Sequence, residues 1–250
     1  MNPMTPSSSS SPDPVLPLHL AGSLVRLLHG AGGTLAAATP LTDVARCQVI
    51  LNRFDHPGRA HVYRADCPAG TRLRVQLLTP ALPMGRALTP AVAVLAQGAP
   101  AGGETLKPPV AIPAGYSAQT LAPPKLQPSV QTDSLTGAGF FPGHAIDTRT
   151  LVGGRVYVVV WSPDNLMGKY VIQIGHIPIH DWGQWLLAPW IWWRVRGWFG
   201  LSRTAAYVTL AALVLLVLIA LPGGRRDKRA PKGFPPLGAA ANPVSGAEQR

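Results

Sequence analysis

From Cys47 to Gly175 apolar and polar positions alternate in short runs bounded by Gly, Pro, Asp and Asn, the spacing of strands that turn one side inward. The clearest run is TRLRVQLLT (71 to 79), in which Leu73, Val75 and Leu77 alternate with Arg72, Arg74 and Gln76, predicting one buried and one wet face. Strands are further predicted at QVILNR (48 to 53), AHVYRAD (60 to 66), AVAVLAQ (91 to 97), PVAIP (109 to 113), VYVVVWS (156 to 162) and KYVIQIG (169 to 175). The pattern predicts an all-β fold, an antiparallel β-sandwich of jelly-roll type. The abundance of Pro (27) and Gly (26) agrees with short strands and many turns.

Turn chemistry between these runs predicts two hairpins. SPDNLMG would join VYVVVW to KYVIQIG, with Pro163, Asp164 and Asn165 in the turn and Gly168 before the last strand. The other would turn at Asp55, His56, Pro57 and Gly58. Cys47 and Cys67 lie at equal separations from Pro57, so they would face each other across that ladder, within bridging distance. A disulfide and a pair of buried free thiols are both open at this point; the disulfide would fit an oxidising compartment.

After Gly175 the pattern changes. DWGQWLLAPWIWWRVRGWFG (181 to 200) holds six of the seven Trp residues: Trp182, Trp185, Trp190, Trp192, Trp193 and Trp198. Indole favours the headgroup region of a bilayer, so this stretch is expected to be interfacial, in two short helical pieces broken at Pro189, with Arg194 and Arg196 on lipid phosphates. An aromatic edge of the folded core is the competing use. Thr204 to Gly224 then runs without a charge, and Thr204 to Leu221 is read as one C-terminal transmembrane helix, about 30 Å being the thickness of a bilayer core. Arg225, Arg226, Lys228, Arg229 and Lys232 follow the span and Arg194, Arg196 and Arg203 precede it, so the positive-inside rule sets the C-terminus in the cytoplasm and the sandwich outside.

The net charge of +11 would suit nucleic acid, but nine Lys/Arg against two Asp/Glu lie from Trp190 onward. That stretch carries +7 and leaves +4 for the first 189 residues. The excess flanks the membrane segment, where cations meet anionic headgroups, and no nucleic-acid partner is expected. Upstream, Val15 to Leu28 is apolar and Ala36 to Ala38 resembles a cleavage site, but Arg26, His19 and His29 interrupt the run and no cation precedes it. The expected organisation is a disordered or degenerate signal region (1–38), a β-sandwich (39–175), a Trp-rich juxtamembrane segment (176–203), a transmembrane helix (204–221) and a basic cytoplasmic tail (222–250). The expected location is a bacterial inner membrane, single-pass, with the sandwich periplasmic.

HVYRADCPAGTRLRVQLLTP (61 to 80) and RVYVVVWSPDNLMGKYVIQIG (155 to 175) resemble the strand, Ala-Gly turn, strand unit and the closing hairpin of the bacterial pre-peptidase C-terminal (PPC) β-sandwich family. Tyr63, Gly70, Tyr157, Gly168 and Tyr170 match that pattern. The resemblance covers roughly Thr39 to Gly175 and implies a non-catalytic accessory module, in some members linked to Ca²⁺ or polymer binding. No protease or other catalytic domain is expected among the remaining residues of this sequence.

The residues offer little chemistry. His176 and His180 with Asp181 could pair on a metal, but Pro178 excludes helical spacing and no further ligand has suitable spacing. Asp164 and Asn165 supply too few oxygens for Ca²⁺. GAGG (30 to 33) lacks the phosphate-loop Lys, and no nucleophile elbow is present. Phe140 and Phe141 in GFFPG (139 to 143) would cap the sandwich or form a binding loop. No catalytic set, metal or cofactor is expected. The expectation is a non-enzymatic, membrane-anchored exported sandwich that binds or organises a protein, a glycan or the membrane lipid surface at the cell envelope. The alternative is a subunit of a membrane assembly whose interface is the Trp segment and transmembrane helix.

Overall fold

A computed structural model describes residues 20–82, 88–98, 102–103, 106–123, 129–179 and 182–220. In chain order the elements are a short 3-10 turn at Leu20–Gly22, then β1 (Leu24–Leu27), β2 (Thr39–Pro40), β3 (Gln48–Phe54), β4 (His61–Cys67), β5 (Arg72–Pro80) and β6 (Ala91–Gln97). They continue with β7 (Gly102–Gly103), β8 (Tyr116–Leu121), β9 (Gln131–Thr132), β10 (Gly139–Arg149), β11 (Gly154–Trp161), β12 (Gly168–Ile174), α1 (Trp182–Phe199) and α2 (Thr204–Ala220). Among the described residues the strands form two six-stranded sheets, A in the order β1-β3-β12-β5-β10-β9 and B in the order β2-β4-β11-β6-β8-β7. The all-β sandwich expected from the pattern is the observed architecture. The chain divides into two compact units, Met1–Arg203 and Thr204–Arg250. α1 therefore belongs with the sandwich rather than to a separate juxtamembrane segment.

Strand positions follow the pattern closely, except that PVAIP is irregular and the strand lies just beyond it, at β8. The pairing does not follow. β3 and β4 lie in opposite sheets, as do β11 and β12, so neither predicted hairpin exists. Each connection instead crosses the sandwich, at 55–60 and 162–167. The two crossings lie side by side, with Asn165 Oδ1 3.6 Å from the place a Cβ on Gly58 would occupy. Both residues have positive φ, 72° for Gly58 and 55° for Asn165, a conformation that Gly and Asn adopt at least cost. β12 pairs with β3 and β5, β11 with β4 and β6.

The disulfide geometry fails with the first hairpin. Cys47 precedes a strand of sheet A and Cys67 ends a strand of sheet B, and both thiols are free and buried. Cys47 Sγ lies 3.1 Å from Ser23 Oγ and accepts from Gln173 Nε2 at 3.3 Å. The upstream boundary also moves. β1 pairs in parallel with β3, Leu20 is fully buried and Ala38 is 5% exposed, so residues 20–38 are part of the domain and not a disordered leader. Residues 1–19 lie outside the described ones.

Apolar packing lies in three layers. Between the sheets, Ile50, Tyr63, Leu73, Val75, Leu77, Val92, Val94, Ile146, Val158, Tyr170 and Ile172 form the main core. Outside sheet B, Val62, Ala93, Leu95, Val159 and Trp161 pack beneath Leu35, Leu106 and Val110. Outside sheet A, Val49, Leu51, Leu78, Phe140 and Val171 pack against Leu20 and α1. Central strands are thus buried on both faces, which is why VYVVVW reads as an unbroken apolar run. The face of β5 expected to be wet is exposed at Arg72 and buried beyond it: Arg74 is 8% and Gln76 1% exposed. They lie opposite Asp147 and Ala145 of β10, and Gln76 also opposite Gln173 of β12.

Candidate functional site

α1 begins in a stretch with good helix formers at Gln184, Leu186, Leu187 and Ala188 and continues unbroken through Pro189. The expected break there is absent. Its end is a Schellman motif: the Gly200 N–H donates to Gly197 O at 3.2 Å and the Leu201 N–H to Arg196 O at 2.8 Å, with Gly200 at φ 71°. One stripe, Ile191, Val195 and Phe199, is buried on sheet A, with the Phe199 ring edge-on to Phe140 at 5.0 Å. Spacing of i, i+4, i+8 is what a helix needs to seat one row of side chains. The sequence hid this row because Trp and Leu surround the helix on every side.

Arg196 fixes the helix end. It donates from Nη1 to Thr136 O (2.8 Å) and from Nε and Nη2 to Ser202 O (2.9 and 2.6 Å), and it stacks over Trp192 at 4.8 Å. These carbonyls take three of the five guanidinium N–H groups, so Arg196 acts as a clamp between the helix end and the domain. The Thr136 turn is itself pinned: buried Asp133 accepts from Thr136 N and Oγ1 (2.8 and 2.7 Å) and from Leu20 N (3.2 Å). Lys169 of β12 donates to Trp198 O and stands 5.1 Å from the Trp198 ring, which joins the helix end to sheet A. Burial, with a smaller contribution from Arg53, lowers the Lys169 pKa.

The N-terminal half of α1 carries exposed apolar side chains. Leu186 is 84%, Leu187 54% and Trp190 53% exposed. The Arg194 guanidinium lies 4.6 Å from the Trp190 ring and that of Arg203 lies 4.7 Å from Trp193. Arg203 reaches Trp193 across Gly197, where a Cβ would sit 1.4 Å from Nη2; glycine leaves the slot. The side chains of Trp182 and Trp185 lie outside the described residues. In the second unit, α2 has 17 residues, and Val208, Leu210, Leu213, Leu215, Leu216 and Ile219 are all exposed. Among the described residues no helix is long and apolar enough to cross a membrane. Leu221 and the cations Arg225, Arg226, Lys228, Arg229 and Lys232 lie outside them.

A second constellation, absent from the sequence reading, lies between the sheets beside the two crossings. Asn52 Nδ2 donates to Tyr63 Oη at 2.9 Å, Tyr63 Oη lies 2.8 Å from Tyr170 Oη, and Tyr170 Oη lies 2.7 Å from His61 Nδ1. One direction satisfies every hydroxyl: Asn52 to Tyr63 to Tyr170 to a neutral His61 that accepts at Nδ1. Phe54 stacks on Tyr170 at 4.7 Å and lies 4.8 Å from the His61 ring. His61 is 1% exposed and the other three are fully buried. Burial, with the charge of Arg59 adding and that of Asp55 opposing, lowers the His61 pKa to about 4. Burial raises both tyrosine pKa values, that of Tyr170 well above the usual phenol. Closed to solvent, this chain ties the sheets together and is not open to a substrate.

A small apolar cleft of about 40 Å³ opens between β5/β10 and β6/β8, lined by Leu77, Leu88, Val92, Leu121, Phe141 and His144 among others. Phe140 and Phe141 divide between two uses, Phe140 buried under α1 and Phe141 in this cleft. Asp164 accepts from Thr89 Oγ1 at 3.0 Å and Asn165 N–H donates to Ser162 O at 3.1 Å, a turn rather than a Ca²⁺ loop. Among the described residues no three His, Cys, Asp or Glu side chains gather as metal ligands; His180 and Asp181 lie outside them.

No protein-family model matches the chain, and no curated protein matches it. Among solved structures, the fold is similar to Aeromonas hydrophila PliG, a periplasmic lysozyme inhibitor of g-type lysozyme. The TM-score is 0.32 at 11% identity, over 60% of this chain and 97% of that one. At that score the likeness has no bearing on what this chain binds.

Proposed function

We propose that this chain is a non-enzymatic β-sandwich tethered to a bacterial envelope membrane by its C-terminal apolar run, where it presents the sandwich to a protein or glycan partner. The observation that carries the reading is the chain's continuity from a clamped helix end. Arg196 and the Gly200 cap fix Leu201 and Ser202 to the sandwich, and Thr204 opens the uncharged run whose described large apolar side chains are exposed. With Leu221 added, that run reaches the length of a bilayer core. The basic tail beyond it favours a cytoplasmic C-terminus. The accessory role implied by the PPC resemblance fits the same reading.

The test is cysteine labelling of the full chain in a Gram-negative host. Cys47 and Cys67 are buried, so Val152→Cys, in an exposed turn, and Ser245→Cys, in the tail, report the two sides separately. The protein is expected to stay in the membrane after alkaline carbonate, with position 152 reached by an impermeant maleimide in spheroplasts and position 245 reached only after lysis. Release by carbonate would sink the tether, and the reverse labelling would sink the orientation.

A further inference from the structure

The cations and indoles around α1 fall into two sets. Arg196 and Lys169 donate to carbonyls of the domain, and Trp198 packs beside Phe199 on sheet A. Leu186, Trp190, Trp193 and Gly197 follow one another at helical spacings of four, three and four and form the face turned away from the buried stripe. Leu186 and Trp190 are the exposed apolar side chains on that face, and Leu187, one turn before Ile191 on the neighbouring row, is exposed as well; bare apolar side chains grouped on one helix end mark an interaction site. Over its indoles lie Arg194 on Trp190 and Arg203 on Trp193. No Asp or Glu occurs between Asp181 and Asp227, so no carboxylate of this stretch offsets those cations.

We propose that this face docks into the headgroup and upper acyl region of an anionic phospholipid leaflet, a contact made by the sandwich unit itself that turns sheet A toward the membrane and leaves sheet B facing away. The proposal rests on the tether reading and adds a second, independent attachment. Charge complementarity selects the occupant. Leu186 and Trp190 enter the apolar boundary, while Arg194 and Arg203 remain at phosphate level, the arrangement favoured for an interfacial helix. Each cation near an anionic surface contributes attraction that salt screens. Because the C-terminal half of α1 is seated on sheet A by Ile191, Val195 and Phe199, insertion of the N-terminal half orients the whole sandwich.

The test uses the full chain with Leu186→Cys carrying a nitrobenzoxadiazole label, and Val152→Cys as the control position. Each is reconstituted into vesicles of phosphatidylcholine alone or with about 30% phosphatidylglycerol, whose negative surface potential attracts cations. In anionic vesicles the label at 186 is expected to be quenched by shallow lipid-borne nitroxide at least about twofold more than the label at 152, and Arg194→Gln to reduce that difference. Equal quenching in neutral and anionic vesicles overturns the anionic recognition. A label at 186 as open to aqueous iodide as that at 152, in protein that still floats with vesicles, overturns docking and spares the tether. Shielding from both quenchers would show a protein on this face and overturns docking too. Protein that fails to float would sink the tether reading instead.

Discussion

His61 places a titratable ring in a part of the sandwich core where four polar side chains meet. Its neutral form accepts from Tyr170, and a proton on Nδ1 would put donor against donor inside a dry core. The folded pKa of about 4 lies below the unfolded value of 6.5, so between those limits the unfolded chain binds the extra proton. Stability from this residue is therefore complete above pH 6.5 and is lost as pH falls toward 4. The slope is at most about 1.4 kcal/mol per pH unit. Urea unfolding from pH 7 to pH 4.5 should show that decline, and His61→Gln should flatten it; an unchanged slope in the variant would assign the decline to other groups. The sequence marks His61 and Tyr63 as same-side neighbours in HVY, but Tyr170 lies more than a hundred residues away. Only the facing of β4 and β12 brings it to them.

At the scale of elements, strand positions were readable and strand partners were not. Turn residues such as Pro57, Gly58, Asp164 and Asn165 announce a reversal without stating which sheet the next strand joins. A strand buried on both faces has no alternation to settle the choice. β10 escaped notice for a related reason. Pro142 and Gly143 sit inside it at a register shift, where a bulge accommodates residues that otherwise argue against a strand. α1 was visible as a Trp-rich stretch, but its seat on sheet A was not. Two substitutions test that seat. Arg196→Lys loses the fork that spans Thr136 O and Ser202 O and should cost about 1 to 3 kcal/mol. Gly200→Ala, at positive φ, should cost about 1 kcal/mol. Chemical denaturation of the full chain in detergent measures both, and stability equal to the parent for Arg196→Lys would mean the clamp contributes nothing.

Across the whole molecule the two cysteines report the sheet assignment. Cys47 belongs with sheet A and Cys67 with sheet B, both buried as free thiols, and burial together with Asp66 and Asp43 raises the Cys67 pKa. The native protein should react with almost no thiol reagent, the unfolded protein should give two thiols per chain, and electrophoretic mobility should be the same with and without reductant. A reductant-dependent shift of the monomer would place the cysteines together and contradict the crossing of 55–60. The sequence by itself determined the strand-forming runs, the β class, the position of the apolar run and the concentration of charge and tryptophan around it. All of these are local: they follow from periodicity and composition within a window of a few residues. Tertiary structure alone decided that the chain crosses between sheets where hairpins were expected, that residues 20–38 enter the sandwich, Leu24–Leu27 in sheet A and Gly32 bridged to Val62 of sheet B, and that α1 buries one row and bares another. Those outcomes depend on contacts between distant segments, and a short apolar run carries no record of which distant surface will cover it.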